Sequence, residues 1–233
     1  MTRSQAEAAG IDVGLRDYML RVYNYMALGV AFTGAVAMIV AMNPVLVQGV
    51  ASMFWLFFIG ILGLGFFAPR IMMTKSVGAA QICFWVYASL WGALLGPILL
   101  AYAQLDPMII VRAFFITAGT FAGVSLYGYV TKRDLSPFAT FFMMAVIGLL
   151  IAIVVNAIFI QSVGFSLLTS VIVVLLFSGI TAWETQIIKS MYYETEGHDV
   201  VTRKAIFGAF LLYGSFVTLF VHILNILGIM RGE

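Results

Sequence analysis

The chain has 233 residues, of which 63% are hydrophobic and only 9% are charged. An average soluble domain carries about 25% charged residues, and one domain of this length cannot hide so much apolar surface from water. Disorder is excluded too, because it needs low hydrophobicity and high net charge. The net charge of +2, with no dense basic stripe, argues against a nucleic-acid partner. The class that remains is a protein embedded in a lipid bilayer.

Seven apolar segments follow one another along the chain, each offering the roughly 20 residues that a helix needs to cross the bilayer core. None of them alternates polar and apolar residues, which excludes the strands of a membrane barrel. The predicted fold is all-α, a single seven-helix membrane domain over residues 1–233 with a cytoplasmic tail at residues 1–21. The predicted spans are Val22–Met42, Val47–Ala68, Val77–Tyr102, Met108–Val130, Phe138–Ile160, Val163–Trp183 and Ala205–Met230.

Prolines mark most of the boundaries between these segments. A proline at a helix end does little harm, because its missing N–H would lack a helical partner there anyway. One proline, Pro97, lies inside the third segment and predicts a kink or an interruption of that helix. The four prolines expected at boundaries are Pro44, Pro69, Pro107 and Pro137.

Glycine pairs with the spacing GxxxG occur in two segments. Gly92 and Gly96 form one pair in the third segment, and Gly119 and Gly123 form the other in the fourth. In an apolar helix this spacing allows the backbones of two helices to approach closely. Both pairs therefore predict helix packing, without indicating a function.

The lysines and arginines predict the orientation of the helices. They concentrate in the N-terminal tail and in the second, fourth and sixth loops, whereas the first, third and fifth loops contain none. By the positive-inside rule the N-terminus is cytoplasmic, and seven spans then place the C-terminus outside. Arg112 lies near the start of the fourth helix and can snorkel to the interface. A re-entrant last segment, which would return Arg231 to the cytoplasm, is the alternative.

A polar stripe runs along the last segment. Ser215, Thr218, His222 and Asn225 are spaced three, four and three residues apart, which places them on one face of a helix. In lipid such a stripe must face protein or a water-filled cavity, so the seventh helix is expected to be surrounded by the others. The stripe is either a polar helix–helix seam or the lining of a pathway. His222 is either a neutral structural histidine or a proton-sensing group.

Glu184 is the strongest candidate for a functional residue. It lies at the cytoplasmic end of the sixth segment, one turn after Thr181 on the same face. An ionisable group inside a membrane is a functional-site hypothesis, and the alternative is an acid exposed at the interface. Arg70 and Lys75 lie on the same cytoplasmic side, and Arg70 is the expected partner of the Glu184 carboxylate.

Three stretches carry a resemblance to a known family. Thr181–Gln186 reads TAWETQ, Thr131–Pro137 reads TKRDLSP, and Leu212–Gly228 reads LYGSFVTLFVHILNILG. Their order and spacing resemble the transmembrane Bax-inhibitor-motif family, in its bacterial type. The resemblance implies an inner-membrane protein in which six helices surround a central seventh. It also implies a pH-sensitive calcium leak gated by two aspartates and locked by a basic residue.

Carried over to this sequence, the first aspartate position is Glu184 and the second is Ser215, while the basic residue most resembles Arg70. Ser215 carries no charge, so the coupled titration of two carboxylates is lost and the sensor is weakened. Glu184 is also the one anionic oxygen ligand expected for calcium. The residues assigned to the lining of the pathway are Thr181, Thr218, His222 and Asn225.

The predicted function is therefore a pH-sensitive calcium or cation leak with a Glu/Ser sensor. The alternative, favoured by the missing acid, is a non-conducting regulator that binds other membrane proteins. An enzyme is not expected, since Ser215 and His222 lie about 10 Å apart along one helix, too far for a nucleophile and its base. No cofactor is expected, calcium being only transported, and the sequence leaves the oligomeric state open.

Overall fold

The computed structural model describes residues 13–232, and this part of the chain is all-α. Seven of its helical segments are long and apolar enough to cross a membrane, as the composition predicted. A short helix, Pro44–Ser52, precedes the second of them, while a 3-10 turn, Ser136–Phe138, and a π turn, Asn156–Ile160, flank the fifth. The seven are α1 Val13–Ala41, α2 Phe54–Thr74, α3 Val77–Leu105, α4 Pro107–Val130, α5 Ala139–Val155, α6 Val163–Ser190 and α7 His198–Gly232.

Several helices are longer than the predicted spans. Helix α1 begins at Val13, so residues 13–21 of the predicted tail are helical, while Arg3 and the rest of the tail lie outside the described residues. Helix α7 has 35 residues, about 52 Å at the usual rise per residue. The bilayer core is roughly 30 Å thick, so hydropathy locates only the apolar middle of such a helix.

The second predicted span, Val47–Ala68, begins too early. The side chain of Asn43 accepts hydrogen bonds from the backbone N–H groups of Val45 and Leu46, at 3.0 and 3.4 Å, and Pro44 occupies the first turn. These are the features of a helix start, so a short helix forms there and ends before α2. The apolar pattern continues across this break and therefore conceals it.

One expectation about prolines is wrong, because Pro69 lies inside α2 rather than at a boundary. Pro97 does not interrupt α3, which continues to Leu105, and the kink stays a prediction. Membrane helices tolerate an internal proline where local adjustments or neighbouring helices satisfy the carbonyl that loses its partner. Pro44 and Pro107 lie in the first turns of their helices, as predicted.

Within the described range the chain forms two compact units. The first comprises residues 13–100 and 187–213, and the second comprises residues 101–186 and 214–232. In the core of the first unit, the Thr33 hydroxyl donates to the Ala88 carbonyl at 3.1 Å and lies 2.7 Å from the Tyr213 hydroxyl. Such buried hydroxyls are satisfied by one another and by backbone, as the membrane interior requires. The single domain stays a prediction.

The two GxxxG pairs have different outcomes. A Cβ atom added at Gly92 or Gly96 would lie within 2.7 Å of Val36 or Val40 on α1, so this pair packs closely as predicted. At Gly119 and Gly123 an added Cβ would meet nothing within 4 Å in the described part of the chain, and both residues are exposed. The packing prediction for the second pair is wrong.

In the second unit, α4 packs tightly against α6. A Cβ atom added at Gly128 would overlap the backbone carbonyl of Ala182, and the hydroxyls of Ser125 and Thr185 lie 2.9 Å apart.

Helix α7 is the most buried of the seven, with 67% of its most apolar stretch buried. This burial is what a central helix requires, and the central position itself stays a prediction.

Candidate functional site

The candidate site lies in the second unit, where Glu184 of α6 meets Ser215 of α7. The Ser215 hydroxyl donates a hydrogen bond to Glu184 Oε2 at 2.7 Å. Both side chains are buried, Glu184 being 9% exposed and Ser215 2% exposed. Glu184 is therefore an internal acid and not an acid exposed at the interface. Because α6 continues to Ser190, past the predicted end at Trp183, Glu184 lies deeper in its helix than the sequence indicated.

The carboxyl group of Glu184 has few partners for a buried acid. An ionised carboxyl offers about four sites for hydrogen bonds. In the described part of the second unit, Ser215 is the one hydrogen-bond donor to Glu184, Oε1 receives none, and no basic side chain lies within 4 Å. An acid in this state has capacity left for a cation, a water molecule or a proton. We call the Glu184 carboxyl group and the Ser215 hydroxyl group together the carboxylate pair.

The residues next to Glu184 fix its position. The Thr181 hydroxyl donates to the Phe177 carbonyl of its own helix at 2.7 Å, and Thr181 is fully buried. Ala182 contacts Gly128 through backbone, and Thr185 lies against Ser125. Successive residues of the TAWETQ stretch thus anchor α6 to α4 or to itself, and Glu184 is held where Ser215 can reach it.

Gln186 connects the TAWETQ stretch to the loop between α4 and α5. Its amide Nε2 donates to the Arg133 carbonyl at 2.8 Å, and its Oε1 accepts from the Leu135 N–H at 2.8 Å. In the same loop, Asp134 accepts a hydrogen bond from the Ser136 N–H at 2.9 Å, which holds the pKa of this exposed carboxyl below its usual value. Two of the family-like stretches therefore contact each other, which the sequence did not indicate.

The polar stripe of α7 makes a second group of contacts, which we call the histidine cluster. His222 Nδ1 lies 3.0 Å from the Ser170 hydroxyl. Asn225 Nδ2 donates to Ser166 and Ser170 at 3.0 and 2.8 Å, and Tyr102 donates to Asn225 Oδ1 at 3.3 Å. These are the contacts of a polar seam between helices. The two serines lie four residues apart on one face of α6, a signal that the sequence analysis missed.

The remaining candidate residues are less involved in these contacts. Thr218 donates to the Gly214 carbonyl of its own helix at 2.8 Å. Arg70 is exposed near the end of α2, in the first unit, and its pairing with Glu184 stays a prediction. No group of three or more His, Cys, Asp or Glu side chains suited to a metal ion occurs among residues 13–232. Calcium binding at Glu184 and the pathway lining also stay predictions.

The far end of α7 is tied to the loop between α3 and α4. Arg231 Nη1 lies 2.6 Å from Asp106 Oδ2, and the other oxygen of Asp106 accepts the Met108 N–H at 2.9 Å, at the start of α4. Helix α7 is uninterrupted from His198 to Gly232, without the break that a re-entrant segment needs. The side of the membrane that holds the C-terminus stays a prediction.

Known proteins resemble this chain over almost its whole length. The family model described as "Inhibitor of apoptosis-promoting Bax1" matches residues 15–232. An uncharacterized protein of Rickettsia prowazekii is 40% identical over 222 residues, which cover 94% of this chain and 92% of the relative. An uncharacterized protein of Deinococcus radiodurans is 37% identical, covering 91% and 90%. The inner membrane protein YbhL of Escherichia coli is 34% identical, covering 94% of each.

Proposed function

The chain belongs to the Bax inhibitor family, and from that premise we propose that it is a cation leak of the inner membrane with the carboxylate pair as its pH-sensitive gate. It is a multi-pass membrane protein with seven apolar helices. The inner membrane is suggested by the name of the relative YbhL. One observation carries the proposal: a buried acid within a membrane-spanning helix is held by a single serine hydroxyl and has one oxygen without a hydrogen bond in its unit.

Calcium is the cation whose chemistry fits such a gate. It binds six to eight hard oxygen ligands, and carboxylate and hydroxyl oxygens are suitable ones. Glu184 and Ser215 supply only part of such a shell, so water must supply the rest and the ion is held weakly. Conduction requires this, because an ion that is bound too tightly does not leave.

The orientation that we propose has the N-terminus in the cytoplasm and the C-terminus outside. The basic loops support it through the positive-inside rule, and so does the contact of Arg231 with Asp106, in a loop without lysine or arginine. A reporter fused after Glu233 is expected to be extracytoplasmic, and one inserted after Glu194 cytoplasmic. Equal signals from one side of the membrane would contradict the orientation.

The proposal assigns the chain no catalysis and no resident cofactor. Ser215 and His222 have different partners, Glu184 and Ser170, and so do not form a nucleophile and its base. The second candidate function is a non-conducting regulator that binds other membrane proteins. It is favoured by the one acid of this site, where the family has two.

Calcium flux into proteoliposomes tests the gate. We expect the native protein to leak slowly, with a shallow dependence on pH, because a single acid titrates there. In Ser215→Asp two adjacent carboxyl groups titrate as a coupled pair and add an anionic ligand. We expect about tenfold more flux from this variant, corresponding to roughly 1.4 kcal/mol, with a steeper pH dependence.

Two further variants serve as controls. Glu184→Gln removes the native acid. Glu184→Gln/Ser215→Asp keeps the added acid but leaves the site with a single carboxyl group. Together with the native protein and Ser215→Asp, these variants form a double-mutant cycle. Both controls are expected to show slow flux. A steep pH-dependent leak that survives Glu184→Gln would place the switch elsewhere, with His222 next to be tested. No flux from the native protein or from Ser215→Asp at any pH would favour the non-conducting regulator.

A further inference from the structure

A cleft of about 490 Å³ opens in the first unit, and neither member of the carboxylate pair lines it. One wall is the connection between α2 and α3, with Lys75 and the first turn of α3. The other wall is the beginning of α7, with His198, Asp199, Thr202 and Arg203. The volume is within the range of small-molecule sites in proteins. Each wall contributes one basic side chain, Lys75 from the first and Arg203 from the second.

Arg203 is fixed at this cleft by backbone contacts. Its Nη1 donates to the carbonyls of Met73 and Lys75, at 3.0 and 2.8 Å. One terminal nitrogen of the guanidinium is thereby committed, while Nε and Nη2 have no partner in the described part of the chain. A guanidinium held in this way can present its remaining N–H donors to an oxyanion without first losing its own freedom.

Three further polar side chains of the cleft also lack partners among the described residues. Neither Lys75 nor His198 makes a side-chain hydrogen bond or an ion pair there. The Thr202 hydroxyl is buried and has no hydrogen-bond partner, although buried hydroxyls are nearly always satisfied. The beginning of α3 at Val77 adds backbone N–H groups and the positive end of a helix.

We propose that this cleft binds a phosphate group, carried by an anionic membrane lipid or free in solution. Arginine and lysine donors beside a helix N-terminus match the charge and the oxygens of phosphate. Basic pockets next to membrane helices on the cytoplasmic side bind the headgroups of anionic lipids. Asp199 is the one acid of the cleft, and it opposes binding by like-charge repulsion.

The experiment measures phosphate binding in two arms with the full-length protein. In the first, nanodiscs of phosphatidylcholine contain increasing phosphatidylglycerol, and native mass spectrometry counts the phosphatidylglycerol that stays bound. In the second, lipid-stripped protein in detergent is titrated with inorganic phosphate and followed by the phosphorus NMR linewidth. Lys75→Gln is the main variant, because the Lys75 side chain is exposed and makes no hydrogen bond or ion pair in the described part of the chain. Lys132→Gln, another exposed lysine outside the cleft, is the matched control.

Lys75→Gln is expected to weaken binding about fivefold, the usual contribution of one basic residue near a membrane surface. Asp199→Asn is expected to strengthen it by a similar factor, and Lys132→Gln to leave it unchanged. If these changes occur in the lipid arm alone, they support a site for a lipid headgroup. If they occur in the phosphate arm, they support a site for the free ion. Equal affinities of the Lys75→Gln and Lys132→Gln proteins in both arms, or no binding of either probe, would overturn the proposal.

Discussion

The carboxylate pair and the histidine cluster both join α6 to α7 in the second unit, yet their hydrogen bonding differs. In the histidine cluster every side chain has a partner, and Asn225 alone makes three hydrogen bonds. In the carboxylate pair a buried acid has a single donor among the described residues of its unit. Hydrogen bonds between membrane helices contribute about 0.6 kcal/mol each on average. The histidine cluster therefore stabilises the packing, whereas the carboxylate pair keeps binding capacity.

The difference shows that a polar stripe on a membrane helix need not have one role along its length. Ser215 and Asn225 belong to the same stripe and both contact α6. Neutral amide and hydroxyl groups satisfy one another completely, because each is both donor and acceptor. An ionised carboxyl group only accepts, so one hydroxyl cannot satisfy it. The group with unused hydrogen-bonding capacity next to the stripe is thus the acid on the neighbouring helix.

The largest effect is expected from a substitution that breaks the contact holding the carboxylate pair in place. In Gly128→Val the new side chain overlaps the Ala182 backbone, so α4 and α6 must separate. Such overpacking costs about 3 kcal/mol at the upper end of its usual range. We expect a loss of that order in the free energy of unfolding, measured by denaturant titration in micelles, together with an altered calcium flux.

Gly123→Val is the control for this change, since it lies on the same helix where an added Cβ meets nothing within 4 Å in the described part of the chain. Its stability is expected to stay within about 0.5 kcal/mol of the native value. Equal losses from both variants would mean that the cost comes from the helix itself and not from its contact with α6.

A smaller effect is expected when the histidine cluster is opened. Asn225→Leu removes three hydrogen bonds, and the free energy of unfolding should fall by about 2 kcal/mol. The freed serines can then donate to carbonyls of their own helix. Calcium flux should stay unchanged if the cluster is a seam.

Thr218→Val is the matched change, because Thr218 bonds only within its own helix in the described structure. It should cost less than about 0.5 kcal/mol. A flux that falls in Asn225→Leu while the protein stays folded would instead identify the stripe as part of a pathway. This decides between the two roles that the sequence left open.

The fold was largely predictable, because hydropathy reports burial in lipid directly. Seven apolar segments were found, and all seven correspond to helices. Their ends were less predictable, since a helix continues past the bilayer core and an internal proline such as Pro69 does not stop it. The glycine pairs show a further limit. Gly92 and Gly119 begin identical motifs, but within residues 13–232 only the first has a neighbouring helix against it.

The site was predictable as residues but not as contacts. Glu184 and Ser215 were identified from their place in the stripe and in TAWETQ, whereas their 2.7 Å contact depends on the register of α6 against α7. That register is set by tertiary packing between the two helices, which no spacing within one helix reveals. The role of Gln186 was missed because its hydrogen-bond partners lie in the loop between α4 and α5, far from it in the sequence.

The smallest expected effect concerns Asp134, an acid outside the membrane spans. Gln186 connects the loop that contains Asp134 to α6. The pKa of Asp134 is lowered by the hydrogen bond from the Ser136 N–H. Because the pKa is lower in the folded state, the ionised group stabilises the fold at pH values above its unfolded pKa of about 3.9. This stabilisation is lost as the pH falls through the folded pKa. Asp134→Asn should therefore lower the melting temperature slightly at neutral pH and leave it unchanged at strongly acidic pH.

Asp134→Asn also separates two sources of pH dependence in the flux. The loop reaches α6 only two residues from Glu184, through Gln186. If the carboxylate pair is the sensor, Asp134→Asn keeps the shallow pH dependence of the native flux, and Glu184→Gln removes it. Asp199→Asn, a change of another exposed acid, in the first turn of α7, is the control and should alter neither property. A flux that loses its pH dependence in Asp134→Asn but keeps it in Glu184→Gln would place the sensor in the loop, where the Asp134 carboxyl accepts a backbone hydrogen bond that protonation weakens.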